Sequence, residues 1–192
     1  GGDDVLAFVP LDRAFACAAA LQQDFADCLQ PLAVQLGASN LPTLSVGLAI
    51  GHIMEPFGAL RALASLAEKK AKGDDCPDNT KRNALGIALR VRSGGLISVR
   101  LRWDDAAALE DFAFWQACYR NPPRQLPSRL AYDARQVHQR TAFALAGTDR
   151  EEGIPQAEFA RLLERTRTEQ GISLDKDMRA RLQERNRRVG LA

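Results

Sequence analysis

The sequence predicts an α+β fold in two parts: the second half of a ferredoxin-like domain over residues 1–104, followed by an all-helical domain over residues 105–192. Two observations predict it. Short apolar runs at 5–9, 43–50, 84–91 and 96–101 have the composition of buried strands, and stretches of helical periodicity separate the first three. After about Asp104 no convincing strand remains. Strand, helix, strand, helix and strand in that order is the second half of a ferredoxin-like unit.

Taken in order, Val5-Leu6-Ala7-Phe8-Val9 reads as the first strand. A helix follows from Leu11, with Phe15, Ala18, Ala19, Phe25 and Leu29 near helical spacing. Pro31 is expected to interrupt it or to start a second segment, because proline lacks the N–H that an interior helical position needs. Residues 43–50 form the next strand. Glu55-Pro56 opens a second helix, since proline is tolerated in a first turn. Its stripe is Phe57, Leu60, Leu63, Ala64, Ala67 and Ala71, and Gly73 ends it. Residues 73–81 are a polar loop, and 84–91 and 96–101 pair as a hairpin around Ser93-Gly94-Gly95. Helices are expected near 105–119, 127–146, 155–169 and 174–188, broken at Asn121-Pro122-Pro123, Gly147, Gly153 and Gly171. Ser173 is the expected cap of the last helix, with Asp175 and Asp177 favourable beside its N-terminus.

The bulk composition narrows the function classes. Hydrophobic residues make up 46% of 192, enough for a real core, and the formal net charge of +2 argues against a strongly basic nucleic-acid binder. No apolar run approaches bilayer length and no signal peptide is visible, so a cytoplasmic protein with no membrane partner is expected. Cys17, Cys28, Cys76 and Cys118 form no C-x-x-C pair, and only two histidines accompany them. Buried free thiols in a reducing compartment are therefore expected, not a zinc site. With no initiator Met and residue 1 already inside a motif, the chain is expected to be the C-terminal part of a longer protein.

That motif is Gly1-Gly2-Asp3-Asp4. The glycines open backbone angles closed to other residues, so the chain can turn sharply and present both carboxylates at a hairpin tip. Hard oxygen ligands of this kind hold Mg²⁺ or Mn²⁺, and two such ions can activate a 3′-hydroxyl and stabilise a pyrophosphate leaving group. On the four letters alone, a surface turn is an equal reading.

Four features together resemble the second palm domain of the large subunit of type III-B CRISPR effector complexes, the Cmr family, over residues 1 to about 95. They are the Gly-Gly-Asp-Asp turn, the strand at Ser45-Val46-Gly47, and the step from His52 to Pro56 into an Ala-rich helix. The fourth is the helix end Lys69-Lys70-Ala71-Lys72-Gly73, followed by Arg82-Asn83-Ala84. The helical remainder is similar to that family's C-terminal domain by position and helix content. The resemblance implies a nucleotidyltransferase that takes ATP as substrate and makes cyclic oligoadenylate when its complex holds target RNA. It implies other subunits of the effector complex, guide RNA and target RNA as partners. Asp3 and Asp4 match the metal-binding, catalytic carboxylates, and Gly1 and Gly2 the turn that brings the nucleotide close. Lys69 and Lys72 match the region that presents cations to a triphosphate, where a mobile point charge suits the task. Ser45 and Gly47 fall on the strand that faces the nucleotide in this family, leaving room for a base or ribose. The same residues also admit plain readings, a solvated helix end for the lysines and ordinary strand packing for Ser45 and Gly47.

The chain departs from a complete palm in lacking the first strand and helix with any carboxylate they carry, so catalysis by this chain alone is not expected. His52 is expected to be a structural hydrogen-bonder, and His138 has no assigned role. Arg179, Arg181, Arg185, Arg187 and Arg188 form a basic cluster that suits either RNA phosphates or an exposed helix face beside Glu184. Phe112, Phe114, Trp115 and Tyr119 are core or interface anchors, core being the default. Two other functions compete: a non-catalytic assembly module with a degenerate palm, and a diguanylate-cyclase-like enzyme. The second is weakened because the motif ends in Asp4-Val5 in place of Glu-Phe and because a helical domain comes after the palm.

Overall fold

Three of the four apolar runs become strands. A computed structural model of the protein describes residues 5–38, 41–91, 95–120, 125–141 and 149–189. In chain order these hold α1 (Leu11–Gln35), β1 (Val46–Ile50), α2 (Phe57–Lys72), β2 (Ala84–Leu89), β3 (Ile97–Arg102), α3 (Ala106–Arg120), α4 (Arg129–Arg140), α5 (Asp149–Arg165) and α6 (Lys176–Val189). The chain divides into two compact units, Gly1–Leu109 and Glu110–Ala192.

In the first unit the sheet order is β1-β2-β3. β1 and β2 are parallel, with Gly47 opposite Gly86, and such a pair needs a crossover, which α2 supplies. β2 and β3 are antiparallel, with Gly86 opposite Arg100 and Ala84 opposite Arg102. Side chains alternate across a strand, so Gly47, Ala84, Gly86, Ala88, Arg100 and Arg102 share one face. The stripe read from the sequence meets that face: Leu63, Ala67 and Ala71 of α2 are buried. A Cβ added at Gly47 would stand 2.5 Å from the Glu68 nitrogen, and one at Gly86 would stand 2.8 Å from the Ala71 nitrogen and inside contact with the Ala67 carbonyl. The two glycines let the helix backbone rest on the sheet backbone. Pro56 precedes α2 and Gly73 ends it in the left-handed conformation (φ 63°), its N–H donating to the Lys69 carbonyl at 3.0 Å.

The strand expected at 5–9 does not form. Val5 is 86% and Phe8 75% exposed, and the described residues give this segment no neighbouring strand to complete its hydrogen bonds. The Phe8 ring lies 5.7 Å from the ring of Phe57 at the start of α2. Pro31 does not interrupt α1, which runs through it for 25 residues. Asp27, whose carbonyl loses a partner there, is exposed to solvent. Nor does Gly153 break α5. The thiols are free, yet only Cys118 is buried, Cys28 is exposed, and Cys17 and Cys76 are half-buried. α1 buries just Ala14 and Ala18, so Cys28 lies off its covered part.

In the second unit Cys118, Leu126, Leu130, Phe159, Leu163, Leu174 and Leu182 form the core, with Phe114, Trp115 and Tyr119 packed against it. Burial pushes the Tyr119 hydroxyl up to about 12 and raises the Cys118 thiol. The cap of α6 is Asp175, not Ser173: its carboxylate accepts the Met178 N–H at 2.6 Å, while Ser173 is bridged to Arg167. Of the arginine cluster, Arg181, Arg187 and Arg188 stay exposed, while the Arg185 side chain is mostly covered. Arg185 pairs with buried Asp111 and lies 4.2 Å over the Phe114 ring. Arg181 sits 4.8 Å from the same ring, and Arg188 reaches Asp111 at 3.8 Å and Glu184 at 3.6 Å.

Candidate functional site

Lys69 and Lys72 stand in the last turn of α2. Gly47 rests against Glu68, and Glu68 forms an ion pair with Lys72 one turn on, at 2.5 Å. Ser45 directly precedes β1, two residues before Gly47, so it stands at the same end of the unit as Lys72. The Ser45 hydroxyl is buried and has no hydrogen-bond partner among the described residues. Unpartnered hydroxyls are rare in protein interiors. The absent side chain of Gly47 is explained by the approach of α2, which fills the space on that face that a base or ribose was expected to use. Lys69 is exposed and borders a hollow of about 380 Å³ on the β3 flank of α2, together with Lys70, Asp74, Asp75, Leu66 and Leu96. Gly1, Gly2, Asp3 and Asp4 lie outside the described residues. Among the described residues no three His, Cys, Asp or Glu side chains are grouped to hold a metal.

Sequence reasoning assigned no role to the residues that hold this end in place. The loop from α2 to β2 closes on itself: the Arg82 N–H donates to the Lys72 carbonyl at 2.8 Å. Arg82 and Asn83 both have positive φ, 57° and 46°, a conformation that costs a non-glycine residue energy and persists only where surroundings enforce it. The enforcement comes from β3. The Arg100 guanidinium donates to the carbonyls of Ala71 (3.2 Å), Thr80 (2.7 Å) and Arg82 (3.1 Å). Arg102 donates to the Asn79 carbonyl at 3.3 Å and is itself fixed by Asp104. That hydrogen bond holds the Asp104 carboxyl below the usual carboxylate range. Gly73 is required twice over, by its φ and because a Cβ there would stand 2.9 Å from Arg100 Nη2. The available signal was the pattern Arg100-Leu101-Arg102, two arginines on the helix-facing side of a strand. His52 is a structural hydrogen-bonder as expected, its Nδ1 accepting the Met54 N–H at 3.1 Å.

A parallel strand–helix–strand unit with cations at one end of its helix is an arrangement suited to nucleotides. Residues 1–86 match the family model described as Cas10/Cmr2, second palm domain, so this part of the chain is a palm domain of nucleotidyltransferase-like kind. The match covers residues 1–86 of 192 and is to a domain of Cas10/Cmr2, the large subunit of type III CRISPR effectors, to which this part of the chain is similar. No curated protein and no solved structure matches it. No helix among the described residues is long and apolar enough to cross a membrane.

Proposed function

We propose that the palm binds ATP with Mg²⁺ or Mn²⁺ and joins ATP into cyclic oligoadenylate within a type III-B effector complex, when that complex holds guide RNA paired to target RNA. The observation that carries this reading is the family match over residues 1–86, which takes in the Gly-Gly-Asp-Asp motif and both lysines. Asp3 and Asp4 are hard oxygen donors suited to either ion, and the bound ions supply charge for deprotonating a 3′-hydroxyl and for releasing pyrophosphate. Gly1 and Gly2 let the backbone turn close to the nucleotide. Lys72, steadied by Glu68, and Lys69 face the triphosphate as point charges. Ser45 stands at the same end to meet the ribose or base. Gly47 acts indirectly by seating Glu68, and through it Lys72, against β1.

The test is Asp3→Ala with Asp4→Ala in the full-length subunit, assembled in its complex. Oligoadenylate synthesis is expected to fall to background while assembly and RNA binding persist, and undiminished synthesis by the double variant would refute the reading. A second reading, an assembly module with a degenerate palm, draws support from the exposed apolar residues of the first unit, among them Val5, Leu6, Phe8 and Ile53. Normal complex formation without any ATP binding would favour it.

A further inference from the structure

We propose that Arg100 is a positioning residue for the triphosphate-binding cation Lys72, acting as a clasp that fixes the end of α2 and the closed loop behind it; this inference rests on the nucleotide-binding reading above. Lys72 is the last residue of α2, where backbone carbonyls lack partners within the helix and a chain end frays unless something outside satisfies them. Here two donors do so. Arg100 Nε takes the Ala71 carbonyl and the Arg82 N–H takes the Lys72 carbonyl. Arg82 can do this only because its backbone and that of Asn83 are held in the left-handed region, and Arg100 Nη2 binds the Arg82 carbonyl from the other side. The same nitrogen reaches the Thr80 carbonyl at 2.7 Å, so one guanidinium ties the helix end, the middle of the loop and its exit.

The task needs arginine. A planar fork with five donors can serve three carbonyls that diverge in direction, whereas a lysine ammonium on a single stem cannot match that geometry. Gly73 leaves the space in which the fork lies. Arg100 comes from β3, in register with Gly86 on the face that carries α2, so it is anchored in the sheet and not in the loop it holds. The side chain of Lys72 is aimed by Glu68, but its backbone is fixed through Arg100.

The experiment is equilibrium binding of ATP and of AMP, with Mn²⁺, to the intact large subunit and to Arg100→Met, Arg100→Lys, Lys72→Ala and the Arg100→Met/Lys72→Ala double variant. Because contacts to charged groups are strong, Arg100→Met is expected to weaken ATP binding about tenfold. AMP binding is expected to change little, since AMP lacks the terminal phosphates. Arg100→Lys is expected to recover only part of the loss. The double variant is expected to match Lys72→Ala alone, because a residue that acts through Lys72 has nothing left to position once that cation is gone. Unchanged ATP affinity in Arg100→Met, equal losses for ATP and AMP, or losses that add in the double variant would each overturn the proposal. Should Arg100→Met fail to fold, Arg100→Lys carries the test: full parental selectivity for ATP over AMP in that variant would overturn it. Absence of ATP binding by the unsubstituted subunit would overturn the nucleotide reading itself, and this inference with it.

Discussion

Gly47 and Gly86 lie opposite each other across the parallel strand pair, and the backbone of α2 covers both. Each is a strand interior glycine, a position that ordinarily weakens a sheet and therefore signals close backbone approach. Gly86 is the more constrained, hemmed by the Ala67 carbonyl and the Ala71 nitrogen, neither of which can yield without moving the helix. Gly86→Ala is expected to destabilise the protein by about 1–3 kcal/mol through overpacking. Gly58, with nothing within 4 Å of its Cβ position and an α-helical backbone, gives the control: Gly58→Ala is expected to be neutral or stabilising by up to about 1 kcal/mol. Denaturant melts of both variants check the pair, and equal effects would contradict the packing described. At this scale the sequence was read well where one residue's covalent properties decide the outcome. Gly73 ends α2 and Pro56 opens it. It was read poorly where a third element decides. That Gly47 serves α2 more than a ligand, and that Arg100 faces inward, depend on which strand lies beside which.

Among the elements, α2 was fully legible because its apolar stripe, its opening proline and its closing glycine agree. The run at 5–9 was not, since its composition is that of a strand but strands exist only in pairs. α1 passed through Pro31 because the exposed turn before it tolerates one unpaired carbonyl. The last helix was found near its observed place, yet its cap was shifted by two residues, since Ser173 and Asp175 carry equally good capping chemistry and tertiary pairing chose between them. The C-terminal arginines show the same limit. Their spacing suggested a charged surface, which Arg181, Arg187 and Arg188 form, but buried Asp111 of α3 draws in Arg185. Without Asp111, Arg185 keeps only the exposed Glu110 carboxylate at 3.3 Å, so Asp111→Ala is expected to cost about 1.5–3 kcal/mol, the range of a hydrogen bond to a charged group. Thermal or denaturant unfolding checks it, and a loss below about 1 kcal/mol, the range of exposed pairs, would contradict the burial of this network.

For the whole molecule, the change from strand runs to helical spacing after about Asp104 is readable from periodicity, which needs no tertiary information, whereas the two compact units part later, between Leu109 and Glu110 inside α3. Of the candidate site, the strand–helix order was legible; within it Gly47 lies against the Glu68 backbone, and Glu68 pairs with Lys72, while Lys69 borders the hollow beside Lys70 and Asp74. The scaffold behind them was not legible, since it is made of backbone carbonyls gathered by arginines far along the chain. Binding of ATP and Mn²⁺ to the intact large subunit, measured by titration calorimetry for the unsubstituted protein and for Asp3→Ala/Asp4→Ala, tests the central claim most directly. The account predicts metal-dependent ATP binding by the unsubstituted subunit and loss of that metal dependence in the double variant, with assembly retained by both. Mn²⁺-dependent ATP binding that survives loss of both carboxylates, or no ATP binding at all by a subunit that assembles normally, would contradict it.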